Sequence, residues 1–115
     1  MDYIVHSDNS EFFRKLMKTF LSELGYEVQN YARGEDAMEA INDGGASCLI
    51  TGMELADMSG EELIKRLTVS SHKIPIIAVT SNEAVVQSKR LDALGVKATI
   101  LKSGDWKTEL SKILA

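Results

Sequence analysis

The feature that most constrains this chain is a fivefold alternation. Short strand-like runs, mostly apolar save for the alternating second one, take turns with segments whose apolar residues recur every three or four positions. The runs are Tyr3–Ser7, Tyr26–Tyr31, Cys48–Thr51, Ile74–Val79 and Ala98–Leu101. Between the first two, Phe12, Phe13, Leu16, Met17, Phe20, Leu21 and Leu24 form one broad helical face, and Gly25 closes it. Gly34 to Ile41 reads as a short helix. Ser59-x-x-Glu62 has capping-box spacing ahead of Leu63, Ile64 and Leu67. Thr80-x-x-Glu83 reads the same way and opens a helix over Glu83 to Leu94, and Trp106, Leu110, Ile113 and Leu114 mark a last one. Strands without polar alternation must be covered on both faces, which implies a parallel sheet between helical layers. Right-handed crossovers then make the expected fold an α/β doubly wound five-stranded parallel sheet, a (βα)5 three-layer sandwich.

Composition narrows the function. With 115 residues the chain supports one domain, 1–115, either standing alone or forming the N-terminal part of a longer regulator. Thirteen Lys and Arg against 17 Asp and Glu leave a net charge of −4, which speaks against a nucleic-acid backbone as the main ligand. Cys48 is the only cysteine, so no internal disulfide forms. The longest uncharged run, Gly44 to Met53, is too short for a bilayer. A cytoplasmic location without membrane or direct nucleic-acid contact is the expectation. His6 lies within the first strand and His72 in a loop, so no zinc site is expected, and His6 reads as a hydrogen-bonded core residue.

In such sheets ligands sit beyond the carboxyl ends of the strands. That directs attention to Asp8 and Asn9, to Gly52 through Met58, to Thr80 through Asn82, and to Lys102 through Asp105. At these loops the sequence resembles a CheY-like response-regulator receiver domain. The resemblance rests on Ile4-Val5-His6-Ser7-Asp8-Asn9, Gly25-Tyr26-Glu27-Val28, Leu49-Ile50-Thr51-Gly52 with Met58-Ser59-Gly60, Ile74 to Ser81, and Lys102 after Ile100-Leu101. It implies an aspartate at the end of the third strand that accepts a phosphoryl group. It also implies acidic residues that hold Mg2+, and a lysine and a hydroxyl for the phosphoryl oxygens.

This chain departs from that pattern at the chemistry. Gly52 stands at the aspartate position, Asn9 at the second acidic position, Ala56 and Ser103 at two proline positions, and Thr99 at the aromatic switch position. Five departures together point to natural loss rather than one designed substitution at Gly52. The expected protein is therefore a pseudo-receiver, not an enzyme, that acts through protein–protein contact in two-component signalling. Its partner would be a signalling protein or a fused output domain. The fourth helix, fifth strand and fifth helix would form its contact or homodimer face, with Lys89, Arg90, Thr99 and Lys107 on it. No cofactor is expected beyond weak Mg2+ at Asp8.

Each residue also has a plainer role. Asp8, Asn9 and Ser10 can cap the first helix, with Asp8-x-x-Glu11 at capping-box spacing, Thr80 can cap with Glu83, and Glu54 and Asp57 read as solvated loop charges. Lys102 must pair with Asp8 or Glu54 or turn outward, since an unpaired buried ammonium is costly. Two alternatives remain: phosphotransfer through a displaced acceptor, Glu54 or Asp57, and a flavodoxin-like nucleotide- or flavin-binding domain. Carboxylates just after the first strand disfavour the second.

Overall fold

The computed structural model describes residues 2–70 and 73–115. His72 lies outside them. The elements run β1 (Tyr3–Ser7), α1 (Glu11–Glu23), β2 (Val28–Tyr31), α2 (Gly34–Asn42), β3 (Ala46–Gly52), α3 (Gly60–Thr68), β4 (Ile76–Thr80), α4 (Glu83–Ser88), a 3-10 turn (Asp92–Leu94), β5 (Ala98–Leu101) and α5 (Trp106–Leu114). All strand pairs are parallel, in the order β2-β1-β3-β4-β5. This is the expected α/β three-layer sandwich.

Alternation of side chains along the strands divides the core in two. Val5, Leu49 and Ala78 face α2 and α3, where they meet Ala37, Ile41, Leu63, Ile64 and Leu67. Ile4, Ile50, Ile77, Val79 and Ile100 face α1 and α5, against Phe13, Met17, Leu21, Trp106 and Leu110. The buried spacing Phe13, Met17, Leu21 is i, i+4, i+8, one stripe of a helix. Each large apolar side chain so buried contributes about 1.5–3 kcal/mol. Trp106 belongs to this core: its ring lies 5.1 Å from that of Phe13 and 5.4 Å from that of Phe20.

Helix starts follow local chemistry. Ser10 Oγ accepts from Phe13 N and Ser59 Oγ from Glu62 N. After α1, Gly25 takes φ 92°, a left-handed turn that β-carbon-bearing residues avoid.

One local expectation is narrowed and three are corrected. Of the cap candidates Asp8, Asn9 and Ser10, it is Ser10 that caps α1, while Asp8 bonds the Ser10 amide. The cap of α4 is Asn82, since Thr80 Oγ1 accepts from Asn82 N and thereby closes the turn that precedes it. The helix expected over Glu83 to Leu94 stops at Ser88, where Lys89 turns left-handed. The second strand starts at Val28 and not at Tyr26, as Tyr26 N is still engaged with the Leu21 carbonyl at the end of α1.

Candidate functional site

Strand order reverses between β1 and β3. Helices therefore leave these two neighbours toward opposite faces, and a crevice opens at their carboxyl ends. The topology brings Asp8, Gly52, Thr80 and Lys102 to this edge. The cavity there has a volume of about 380 Å3, with Asp8, Asn9, Glu54, Thr80, Val85 and Lys102 among its walls.

At its centre is an ion pair. Lys102 Nζ donates to Asp8 Oδ2 at 2.8 Å, and the Asp8 side chain is only 5% exposed. The second Asp8 oxygen accepts from Ser10 N at 2.8 Å, and the Asp8 carbonyl accepts from Arg14 Nη1 at 2.8 Å. Lys102 also lies 4.1 Å from the centre of the Phe13 ring, a cation–π contact. Both charges are thus satisfied. Loss of Lys102 would leave the Asp8 carboxylate charged and nearly unsolvated, the costly case for a buried ion, whereas Lys102 at 26% exposure keeps some contact with water.

Gly52 closes β3 directly beside this pair. Its φ is not positive, so no backbone demand calls for glycine. Space does: a β-carbon at position 52 would lie 2.6 Å from Asp8 Oδ2 and 3.0 Å from Asp8 Cγ. Asp8 in its present pose and any side chain at position 52 exclude each other. An aspartate at position 52 would therefore require Asp8 to move aside. Behind Gly52 runs a buried hydroxyl chain, in which Ser7 Oγ donates to Thr51 Oγ1 at 2.6 Å and Thr51 Oγ1 to the Gly52 carbonyl at 2.9 Å.

The two loop carboxylates part ways. Glu54 lines the cavity, and its carbonyl accepts from Asn9 N at 3.2 Å. Asp57 points away. It accepts from Gly34 N at 2.7 Å and Glu35 N at 3.1 Å, with Arg33 Nε at 3.7 Å, so it caps α2. Desolvation pushes its carboxyl up, but those amides and Arg33 outweigh it and hold the group below the usual carboxylate range. No helical periodicity announces this cap, because it joins two loops that are remote in sequence.

Beneath the ion pair, His6 is fully buried. Its Nδ1 sits 2.7 Å from Asn30 Oδ1, while Asn30 Nδ2 donates to the Arg14 carbonyl, so Nδ1 carries the proton. Its Nε2 finds no partner among the described residues. Burial pushes the imidazole down to about 4, against the upward pull of Asn30 and Asp8. Phe13, Arg14, Asn30, Ser7 and Thr51 all shape the site, and none was singled out in the sequence. Their roles arise from cross-strand register, such as His6 opposite Asn30 and Ser7 opposite Thr51.

As to metal, no three acidic, histidine or cysteine side chains converge among the described residues. Among the described residues the carboxylates lining the cavity are Asp8 and Glu54, and each Asp8 oxygen already accepts a hydrogen bond. These residues do not make an Mg2+ cage.

The outer-face candidates are also placed. Thr99 is half-buried in β5, and Lys89 is exposed at the end of α4. Arg90 is bound to Glu61 of α3 at 2.7 Å. Lys107 lies 5.7 Å from the Trp106 ring centre.

Comparison with known proteins agrees with this architecture. The family model for the response regulator receiver domain matches residues 4–114. The chain is 31% identical over 99 residues to chemotaxis protein CheY1 of Helicobacter pylori, covering 83% of this chain and 80% of that one. It is 26% identical over 99 residues to sensor protein EvgS of Escherichia coli, covering 86% of this chain but 8% of that one. The structure of chemotaxis response regulator CheY4 of Vibrio cholerae superposes with a TM-score of 0.86 at 22% identity, over 99% of this chain and 97% of that one.

Proposed function

The chain belongs to the response regulator receiver domain family, a signalling module of two-component systems, and from that premise we propose that it signals without accepting a phosphoryl group. One observation carries this reading: the end of β3, where the resemblance puts the acceptor, is Gly52, and Asp8 has taken the space in front of it to neutralise Lys102. Glycine offers no nucleophile. Asp8 accepts from the Ser10 amide and from Lys102, so Mg2+ would have to compete with the Lys102 ammonium for it. Binding of Mg2+ is accordingly weak, at millimolar concentrations.

With phosphorylation set aside, the output is protein contact. Lys89, Arg90, Thr99 and Lys107 would form a contact surface on the α4–β5–α5 side that meets a signalling partner, a fused output domain or a second copy of the chain in the cytoplasm. A displaced acceptor is the second reading, and Glu54 is its candidate, because it lines the cavity while Asp57 is committed to α2.

Incubation with a small acyl phosphate and Mg2+, followed by intact-mass measurement, tests the reading. The parent chain should gain no phosphoryl mass. Gly52→Asp combined with Asn9→Asp should gain it slowly, since Asp8 must first swing off the new side chain. A stoichiometric gain on the parent chain, mapped to Glu54 or Asp57, would overturn the proposal and establish the displaced acceptor.

A further inference from the structure

The sheet has one edge that the proposed contact surface leaves untouched. β2 ends the strand order on the side opposite β5. Ile4 N donates to the Glu27 carbonyl and Asp8 N to that of Tyr31. Along a strand in a parallel ladder, successive residues turn their main-chain groups to opposite sides. Glu27, Gln29 and Tyr31 therefore turn theirs inward to β1, and Val28 and Asn30 turn theirs outward. Val28 is 7% exposed, so the edge opens chiefly at half-buried Asn30. An open edge is a template for a further strand.

Two grooves of opposite charge flank this edge. Val28 packs in the core under α1, and Asn30 Nδ2 donates to the Arg14 carbonyl, so both side chains lie on the α1 face. The groove on that face, of about 470 Å3, is walled by Asn30 together with Arg14, Lys15, Lys18 and Glu11. Glu11 offsets one of the three cations, at 3.4 Å from Lys15. Gln29 and Tyr31 line the other groove, of about 350 Å3, on the α2 face. Asp36, Glu39 and Asp43 also line it, and no Lys or Arg does. These three are exposed, and none of them joins the ion pairs formed among the described residues. Their field reaches the strand: burial raises the Tyr31 hydroxyl above its ordinary pKa, and Tyr3, Asp36, Asp43 and Glu39 push it the same way.

We propose that the β2 edge docks an extended peptide segment of alternating charge, added as a further strand with its acidic side chains over α1 and its basic side chains over α2. Side chains of a strand alternate between the two faces, so one segment of acid–base–acid–base order meets both grooves at once. Asn30 supplies main-chain bonds, as in strand addition generally, and the grooves select the sequence. A second copy of this chain does not fit. Antiparallel edge pairing about a two-fold axis normal to the sheet would set α1 against α1 and α2 against α2, with like charges facing each other. The docking edge lies across the molecule from β5, and it depends neither on phosphoryl acceptance nor on the contacts of α5.

Two end-blocked octapeptides of identical composition test this, one alternating Lys and Glu throughout, the other in Lys-Lys-Glu-Glu order. On a strand the first presents a single charge on each face, and the second mixes both. In an amide NMR titration of the full chain, the alternating peptide should shift Val28 and Asn30 and slow exchange of the Asn30 amide. It should bind about fivefold or more tighter than its isomer. Glu39→Lys and Lys18→Glu, both at exposed positions, should each weaken it about threefold or more. Equal affinity for the two peptides, shifts centred away from β2, or no binding of the alternating peptide would end the proposal. Concentration-dependent shifts at Val28 and Asn30 in the chain alone would overturn it in favour of a second copy.

Discussion

His6 shows how much one buried side chain can fix. Its ring is buried, with Nδ1 tied to Asn30, Nε2 without a partner among the described residues, and the Phe13 ring centre 5.9 Å away. Protonation would place a charge there, near Lys102 and Arg14, which oppose it, and Asp8, which favours it. The folded pKa is about 4 against 6.5 for the free side chain. Above pH 6.5 both folded and unfolded chains are neutral at this residue, and its full contribution to stability is present. As pH falls below 6.5 the unfolded chain takes up a proton that the folded chain refuses, so stability falls until about pH 4. The whole loss amounts to ~3 kcal/mol. Urea denaturation at pH 7 and pH 5 should show a drop for the parent chain that His6→Gln largely abolishes. An equal drop in both would assign the pH dependence to carboxylates instead. Cys48 illustrates the same physics with a different result: burial pushes its thiol up to about 11, which leaves it protonated and unreactive.

Among the elements, the loop from β3 to α3 is the most tightly specified. Glu54 and Ser59 form an isolated bridge, Ala56 N donates to the Ala32 carbonyl, and Asp57 caps α2. Gly60 opens α3 against the backbone of Gly52 and Met53. A β-carbon at position 60 would collide with the Gly52 carbonyl oxygen and lie 2.9 Å from Met53 Cα. Backbone cannot yield as a side-chain tip does. Gly60→Ala should therefore cost more than ~3 kcal/mol, within the range of severe single substitutions. Ser59→Ala, which removes only the cap on Glu62 N, should cost about 1 kcal/mol. Equilibrium urea unfolding of both variants measures the difference, and a Gly60→Ala variant no less stable than Ser59→Ala would refute the close approach. The Ser59 cap was legible from its spacing, although Glu62 turns its side chain to Arg66 and does not close a capping box. The need for Gly60 was not, because the atoms it must avoid belong to a strand end eight residues earlier.

At the scale of the whole molecule, the sandwich presents two very different helical surfaces. On α1, Phe12 is 73% exposed beside the Lys15–Glu11 pair. Around α5, Lys107 extends over Trp106 and Phe20. The proposed contact surface is the second. Lys107→Glu should weaken partner or self-association by up to about tenfold, mainly by slowing the association rate and with a marked salt dependence. Phe12→Ser should leave association unchanged. Surface-binding kinetics against a captured partner, or sedimentation for self-association, compare them. Loss of binding with Phe12→Ser but not with Lys107→Glu would move the contact surface to α1.

What the amino-acid order determined alone was set by short-range periodicity. Strand and helix order, the (βα)5 class, Gly25 as a helix stop and the carboxyl-end loops as the site all follow from spacings of two to four residues and from the rule that apolar strands need two covers. The presence of Asp8, Gly52, Thr80 and Lys102 at one edge followed once the sheet was parallel. Only the tertiary structure decided between the partners open to Lys102, because Asp8 and Glu54 differ in distance and not in sequence signal. It likewise turned Asp57 away to α2, placed Asp8 where a residue-52 side chain would stand, buried one face of His6 without a partner, and stopped α4 at Lys89. Each of these depends on atoms brought together from different strands, or on a backbone angle that no residue type in the run enforces, and neither leaves a periodic trace in the chain.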